Sequence, residues 1–414
     1  MSLQFIRRIY FFVLLLIPSM SFAASDFVEI NGIVKSKLYG EPLQSARVAL
    51  PGDSVWTYTN EEGVFTLKTK TLPKRLIVSY PRYRSKYAEV DSANNFLNVV
   101  LTPHDGLFRL SLVEKLDSVD VIAEALDRVG ENFLMQPKMM EGFYRETLWK
   151  NESCISLKEG ALRVLKTSYD RSVAADKISI QKGRCMDGGK ASDSIAKVIS
   201  TGPRAMLYVD LMKNASILFN KQTLGQYNFK VSDPVTINDR PQYVVKMTRR
   251  WGTGSLLDAG WLYIDAETSA LTRAELSYDM TERKDASLQL FGNIPDYVVL
   301  KPITFEYILD YGQIEGRSYL EHVHYQFCYR CKKKGTLTFK NCMIDAEFMV
   351  NRVLNHVEPL DGKGSFSTSN PEYLKISNFT DKNFWGDCNV MEMTSEMKNF
   401  ILRGISESRK RNAR

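Results

Sequence analysis

The side chains with the clearest capacity for metal chemistry are two histidines on one predicted strand. His322 and His324 stand two residues apart in a β-patterned run, so their imidazoles are expected on the same face. Together with His356, two such imidazoles could hold a metal ion. Glu321 is expected to point to the opposite face by the same alternation. Because the rest of the histidine face resembles an ordinary half-polar strand surface, both histidines stay candidates only, and we predict no metal and no cofactor.

The cysteines do not favour a redox or zinc site. Cys328 and Cys331 form a C-x-x-C pair, but they end a β-patterned run, and residues three apart on a strand face opposite sides. A redox pair requires a helix N-terminus that stabilises a thiolate. A zinc site requires a second pair of ligands, and only the lone Cys342 follows nearby.

Catalytic motifs of familiar enzymes do not occur in the sequence. There is no H-E-x-x-H zinc motif, no G-x-S-x-G nucleophile turn and no P-loop lysine motif. We therefore predict no catalytic residue and lean towards a protein that is not an enzyme. The alternative is an envelope hydrolase with an unfamiliar site, built from acidic residues and the face that carries His322 and His324.

The positive charge of the chain is concentrated at its two ends. Of the formal net charge of +7, Arg7 and Arg8 carry two and the basic tail, residues 405–414, contains four basic residues. The remainder is nearly neutral, which argues against a nucleic-acid groove. The tail could make a peripheral contact with acidic lipid, or it could be a frayed and solvated terminus.

Residues 1–23 are expected to form a cleaved signal peptide. A charged start is followed by an apolar run from Ile9 to Ile17, by Pro18, and by a small-x-small cleavage site that ends at Ala23. Spanning a bilayer requires about 20 apolar residues, so an uncleaved anchor is the disfavoured alternative. We predict an exported protein, periplasmic or associated with an outer membrane.

The elements that must position these side chains are mostly strands. Residues 26–104 contain about seven short β-patterned runs separated by turns, a pattern typical of a small antiparallel sandwich. Apolar residues at helical spacing predict a helical connector over 105–140. Residues 141–404 are again β-rich, with one helix predicted over 203–212.

The N-terminal runs carry a resemblance to a known family. Gly32-x-Val34, Gly40-Glu41-Pro42-Leu43-x-x-Ala46-x-Val48 and Thr59-Asn60-x-x-Gly63-x-Phe65-x-Leu67 resemble the carboxypeptidase regulatory-like domain. That domain is a transthyretin-like sandwich of immunoglobulin-like type, and it is an accessory module without catalytic residues. The H-x-x-E zinc pair of the carboxypeptidases themselves is absent.

Two further resemblances concern the larger β-rich part. Gly142 to Glu146 and Asp381-x-Asn383-Phe384-Trp385-Gly386-Asp387 are similar to exported Bacteroidetes proteins described only by their carboxypeptidase regulatory-like domain. The hairpin Gly260-Trp261-x-Tyr263-Ile264-Asp265 is similar to one in periplasmic lipoprotein carriers. This resemblance implies a half-barrel, a curved antiparallel sheet around helices with an apolar concavity.

An aromatic strand face is the candidate ligand-binding surface. Its members are expected to share one side of a strand and to form a mostly apolar wall: Tyr319, Val323, Tyr325, Phe327 and Tyr329. Arg145 could be its polar anchor. The alternative is a plain core that packs against helices.

The function that these features favour is a non-catalytic exported binding or interaction protein with an accessory sandwich. Its expected partner is an envelope protein or an apolar or lipid ligand. An envelope assembly factor, with the sandwich as the docking piece, is a further alternative.

Overall fold

The computed structural model describes residues 27–52, 55–91, 96–104, 117–188, 202–214, 220–253, 258–280, 296–360 and 372–412. It is mainly β with a few helices, and a small sandwich is followed by a larger antiparallel sheet, so the predicted fold class is confirmed. The predicted leader and residues 105–116 of the predicted connector lie outside the described residues. The limits of the domains stay predictions.

The sandwich consists of seven strands in two sheets. The strands are β1 Val28–Ser36, β2 Arg47–Ala49, β3 Trp56–Tyr58, β4 Val64–Thr69, β5 Arg75–Ser79, β6 Lys86–Glu89 and β7 Phe96–Leu101. One sheet has the order β4-β1-β7 and the other β3-β2-β5-β6, and β7 is parallel to β1. Every second residue of β1 from Ile30 onward is buried, because alternate side chains face the other sheet.

One turn of the sandwich accepts only glycine. Gly63 has a φ of 71°, and a Cβ at this position would lie 2.5 Å from the carbonyl oxygen of Val34. Left-handed backbone and close approach both favour glycine. The turn glycine of the family pattern therefore has a physical role in this chain.

Among the described residues, the larger sheet has ten antiparallel strands. They are β8 Lys138–Lys150, β9 Ser153–Lys166, β10 Lys177–Asp187, β11 Tyr227–Ile237, β12 Arg240–Arg249, β13 Ala259–Asp265, β14 Leu271–Asp279, β15 Val298–Ile314, β16 Arg317–Lys333 and β17 Lys340–Leu354. Their order is β10-β9-β8-β17-β16-β15-β14-β13-β12-β11. Within the described residues β10 and β11 are the edge strands, so the sheet is open.

Five α-helices accompany the sheet in the part of the chain that the structure describes. They are α1 Ser118–Asp127, α2 Val129–Asn132, α3 Gly202–Tyr208, α4 Ser377–Thr380 and α5 Ser395–Asn412. The Asp117 side chain caps α1 by accepting a bond from the Val119 amide. The predicted helix at 203–212 is observed as the shorter α3. In place of a frayed tail from residue 405, α5 continues to Asn412. Among the described residues, no helix is both long and apolar enough to cross a membrane.

The two faces of the larger sheet are covered by different parts of the chain. The sandwich lies on one face, where the ring of Tyr58 stacks on His322 with the centroids 4.2 Å apart. The segment that contains α3 lies on the other face, where the Met212 amide donates to the hydroxyl of Tyr311. Asp310 and Tyr311 are consecutive on β15 and therefore point to opposite faces.

A buried ionic cluster holds the α3 segment against the sheet. Lys166 bonds to Asp210 at 2.7 Å and to Asp176 at 2.9 Å. The hydroxyls of Tyr169 and Tyr311 both donate to Asp210. Because a buried charge requires a partner, this closed set of bonds fixes the segment in one position.

A C-terminal strap, residues 386–395, ties the sandwich to the sheet. The Asn389 side chain exchanges two hydrogen bonds with the backbone of Lys68 in the edge strand β4. The carbonyl oxygen of Glu392 accepts bonds from Asn60 of the sandwich and from Arg145 of β8. The strap therefore covers a sheet edge and fixes how the two β layers meet.

Candidate functional site

The junction between the sandwich and the sheet is organised by a β-bulge. The pairing of β15 with β16 shifts register between Asp310 and Tyr311, and Glu321 is left without a cross-strand partner. As a result Glu321 and His322, which are consecutive, both contact Tyr58. The expectation that Glu321 points away from the histidine face was wrong, because strict alternation does not hold across a bulge.

Glu321 accepts bonds from both β layers. Tyr58 donates at 2.6 Å and Arg47 at 2.8 Å from the sandwich, while Tyr319 donates at 3.1 Å from β16. A Cβ on Gly312 would lie 2.0 Å from a carboxylate oxygen of Glu321. Glycine at position 312 is therefore required for this carboxylate to reach the junction.

His322 is a buried imidazolium between two carboxylates. Its Nδ1 lies 2.9 Å from Asp310 and its Nε2 lies 2.7 Å from Glu347. Burial alone would lower the pKa of His322, but attraction to Glu347 and the bonds to both carboxylates outweigh burial and raise this pKa to about 9.

His324, two residues further along β16, has a similar environment. Burial would lower its pKa, but the charges of Glu347 and Asp345 raise it to about 10. The turn of the sandwich approaches the same place, where burial and the charge of Asp345 raise the pKa of Glu61 to about 7. The sandwich therefore contributes a carboxyl group of its own to this face.

The metal hypothesis for His322 and His324 is not supported by this geometry. A metal ligand must offer a nitrogen lone pair, whereas both nitrogens of His322 face carboxylate oxygens and the ring is charged at neutral pH. Within the described ranges, no group of three or more His, Cys, Asp or Glu side chains is arranged to hold a metal ion.

A cavity of about 260 Å³ lies between the sandwich and one end of the sheet. Its wall includes three arginines and three carboxylates, together with neutral polar groups and three tyrosines. The charged members are Arg47, Arg240, Arg273, Asp265, Asp310 and Glu321. Each arginine is paired with one of these carboxylates, so the lining carries no net charge.

The six charges differ in how firmly they are held. Arg273 donates to Asp310 at 2.6 Å and to Glu275 at 2.8 Å, and both ion pairs lie within one face of the sheet. Arg240 is more exposed and bonds to Asp265 and, at the rim, to Gln313. The floor of the cavity is therefore fixed by buried ion pairs, whereas Arg240 and Gln313 at its rim reach solvent.

Ser45 adds an unusual feature to the cavity wall. It has a φ of 57°, in the left-handed region, and it is only 5% exposed. Its hydroxyl is buried and has no hydrogen-bond partner among the described residues. A buried hydroxyl without a partner costs free energy, and a non-glycine residue at positive φ is strained, a combination found at binding sites.

The predicted aromatic wall is divided by the bulge. Val323, Tyr325, Phe327 and Tyr329 share one face and are at most 3% exposed. They continue into aromatic residues of β14 and β15, with ring centroids 5.5 Å apart for Phe305 and Tyr325. Tyr319 instead bonds to Glu321 on the sandwich side. The wall is thus packed in the core, and one predicted member belongs to the junction.

Arg145 lies in a buried ionic triad and does not line the cavity. It donates to Glu159 through Nε and Nη2 and to the carbonyl oxygens of Met391 and Glu392 in the strap. Arg184 bonds to the other oxygen of Glu159 at 2.7 Å. Burial would raise the pKa of Glu159, but the two guanidinium groups lower it. Arg145 therefore acts as an anchor for the strap.

Sequence reasoning missed the cavity because its wall joins distant parts of the chain. Arg47 and Glu321 are 274 positions apart, and no local pattern brings them together. One signal was present in the sequence. Gly312 stands inside a β-patterned run, and a glycine within a strand often marks a bulge or a close approach.

Comparisons with known proteins found similar structures only. A LolA superfamily protein from Nitrosomonas europaea has 13% identity, covers 61% of this chain and 99% of its own, and gives a TM-score of 0.23. A DUF1329 family protein from Desulfovibrio piger has 12% identity, covers 61% and 99%, and gives 0.26. No family model and no curated protein matches the chain. With TM-scores below 0.5, these similarities carry no argument about ligand, partner or activity.

Proposed function

We propose that this chain is an exported, non-catalytic binding protein that holds a small polar ligand in the cavity between the sandwich and the sheet. The observation that carries the proposal is the cavity itself, whose wall combines three arginine–carboxylate pairs with Ser45, a residue held at positive φ. Backbone strain of this kind is found at binding sites.

The charge of the lining defines the class of ligand. Three arginines and three carboxylates pair with one another, so the cavity neither attracts nor repels a net charge at long range. Paired charges still offer donors and acceptors at fixed positions. The site therefore suits a neutral or zwitterionic molecule with many polar groups, such as a sugar, an amino acid or a dipeptide.

The hydrolase alternative has less support. A general base near neutral pH requires a pKa near the working pH. Burial would raise the pKa of Asp310, but Arg273 and His322 hold it below its ordinary value. Asp265 and Glu321 are likewise paired with arginines. The cavity carboxylates therefore fit hydrogen-bond acceptors better than bases.

The apolar-ligand alternative requires a change of structure. The wall of Val323, Tyr325, Phe327 and Tyr329 is buried, so a lipid could reach it only by displacing what packs there. Bound lipid in the purified protein would favour this alternative over the cavity.

The sandwich is proposed to be an accessory domain of the carboxypeptidase regulatory-like type. Its seven strands, two-sheet arrangement and glycine turn at Gly63 support this assignment. In this chain its outer side is occupied by the protein's own sheet, so we propose that it completes a ligand site. An exported, periplasmic or outer-membrane-associated location, and an envelope protein as partner, remain part of the proposal.

The test is a thermal-unfolding screen of the mature chain with L-amino acids, dipeptides, and mono- and disaccharides at millimolar concentration. A ligand at 100 times its Kd stabilises by about 2.7 kcal/mol, which corresponds to a rise in Tm of roughly 3 °C for a chain of this length. We expect at least one compound class to give such a rise.

The specificity control uses two matched variants. Gln313→Trp places a bulky ring at the exposed rim of the cavity and should abolish the ligand-induced rise. Gln181→Trp makes the same change at an exposed position on β10 and should leave the rise intact. A screen without any stabilising compound, or a rise that survives Gln313→Trp, would overturn the proposal.

A further inference from the structure

Several turns of the large sheet meet at one end, which we call the basic rim. Lys150 at the end of β8 pairs with Cys342 at the start of β17, and Lys333 at the end of β16 pairs with Val298. Because adjacent strands are antiparallel, the turn after Arg249 at the end of β12 lies at the same end. The cavity opens near the turn that contains Asn238, which is at the opposite end.

Two turns of the basic rim expose large apolar side chains almost completely. Trp251, between β12 and β13, is 99% exposed, and Leu337, between β16 and β17, is 95% exposed. Tyr297, just before β15, is 52% exposed. Single exposed apolar residues are common, but a fully exposed tryptophan at a turn tip is rare in a surface that only meets water.

The charge of the basic rim is positive. Its basic residues are Lys150, Arg249, Arg250, Lys332, Lys333, Lys334 and Lys340, and its acidic residues among those described are Glu152, Asp187, Asp258, Asp279 and Asp296. Arg249 is paired with Asp258. Lys333 and Lys334 are exposed in the same turn as Leu337. Apolar tips thus stand beside cations.

The spacing of the two tips distinguishes among possible partners. Four strand spacings of about 4.8 Å separate the Trp251 turn from the Leu337 turn across the sheet, and β16 also runs beyond the level at which β12 ends, so the tips are more than about 19 Å apart. A protein hot spot requires one contiguous apolar patch. Two separate apolar tips with cations beside them instead fit a broad, flat, negatively charged surface with an apolar interior.

We propose that the basic rim docks this protein peripherally on an anionic lipid membrane. Trp251 and Leu337 insert at the level of the headgroups, where an amphipathic tryptophan ring is favoured. The neighbouring lysines and arginines lie against acidic headgroups. This docking leaves the cavity, at the other end of the sheet, open to solvent, and it is independent of any ligand in that cavity.

The experiment is co-sedimentation of the mature chain with vesicles. One set contains phosphatidylcholine and phosphatidylglycerol in a two-to-one ratio, and the other contains phosphatidylcholine alone. We expect the partition coefficient to be at least about tenfold higher on the anionic vesicles and to fall as salt is added. The fluorescence of Trp251, isolated as the difference from Trp251→Phe, should shift to shorter wavelength on binding.

Variants at exposed turn positions separate the two contributions without threatening the fold. Lys333→Ser with Lys334→Ser should weaken partitioning by on the order of tenfold. Trp251→Ala with Leu337→Ala should weaken it by roughly fivefold or more. The matched control is Leu38→Ala with Tyr39→Ala, which removes two exposed apolar residues from the sandwich and should change nothing.

Three results would overturn the proposal. The first is equal partitioning on both kinds of vesicle. The second is that the rim variants still bind whereas a variant elsewhere loses binding. That variant is either the Leu38 and Tyr39 control or a variant in which Arg409, Lys410 and Arg411 are all replaced by serine. The third is salt-sensitive binding to vesicles that leaves Trp251 fluorescence unchanged and is no stronger than binding to soluble dextran sulfate. This result would show that the protein is attracted to polyanions in general and does not insert into the membrane.

Discussion

Replacing His322 by glutamine should make the stability of the protein much less dependent on pH between neutral and alkaline conditions. In the native protein the imidazole is fully buried, stacks on Tyr58 and bonds to Asp310 and Glu347. Glutamine keeps an amide donor for one carboxylate but removes the titrating charge. The variant is therefore less stable than the native chain, and the size of the difference should depend on pH.

The magnitude follows from the change of pKa on folding. The pKa of His322 is raised from 6.5 to about 9 in the folded protein. A raised folded pKa contributes stability that is complete below pH 6.5 and is lost as the pH rises through about 9. With about 1.4 kcal/mol for each pKa unit, the contribution is about 3 kcal/mol. The other charged groups near this site include Glu61, Arg273, Glu321 and His324, all of which are kept in the variant.

The assay is urea unfolding of the native chain and of His322→Gln, followed by fluorescence, at several values between pH 6 and pH 10. The difference in unfolding free energy should shrink by about 3 kcal/mol across this range. The matched control is His356→Gln at an exposed position, whose difference from the native chain should stay near zero. A difference for His322→Gln that is the same at pH 6 and pH 10 would falsify the assignment of a buried imidazolium.

Three further predictions concern packing and reactivity. Gly312→Ala should destabilise by about 1–3 kcal/mol, because the new methyl group collides with the Glu321 carboxylate, and limited proteolysis should then release the sandwich faster than in the native chain. Glu159→Gln should cost about 3–5 kcal/mol in urea unfolding, because it leaves the guanidinium groups of Arg145 and Arg184 buried without a carboxylate, whereas a loss below 1 kcal/mol would mean that the triad is open to water. Two cysteines, Cys328 and Cys388, are half-buried, and their thiols should react with Ellman's reagent within minutes in the reduced native protein. The four buried thiols should react only after unfolding; they are those of Cys154, Cys185, Cys331 and Cys342.

The strands of the sandwich could be predicted because their signal is local. Alternating apolar residues in β1 and the turn glycine at Gly63 each depend on neighbours within a few positions. The same is true of α1, which lies in the predicted helical connector and is capped by the adjacent Asp117. Local rules suffice for these elements because neighbouring residues alone determine which side chains are buried.

The candidate site could not be predicted because it depends on two non-local events. The bulge at Glu321 reverses the face of Tyr319 relative to Val323, and strict alternation cannot anticipate a single inserted residue. The docking of the sandwich then brings Arg47 to Glu321. Arg145 illustrates the same limit, since its position beside aromatic residues suggested a polar anchor for the ligand-binding wall, whereas in the structure it pairs with Glu159, which Arg184 also binds.

The ligand site at the junction of sandwich and sheet can be tested by native mass spectrometry of the mature chain, purified from the envelope of the cell that makes it. We expect a bound polar molecule of low mass on the native protein and on Gln181→Trp, and none on Gln313→Trp. A protein that carries only lipid, or a small molecule retained equally by Gln313→Trp, would contradict this expectation.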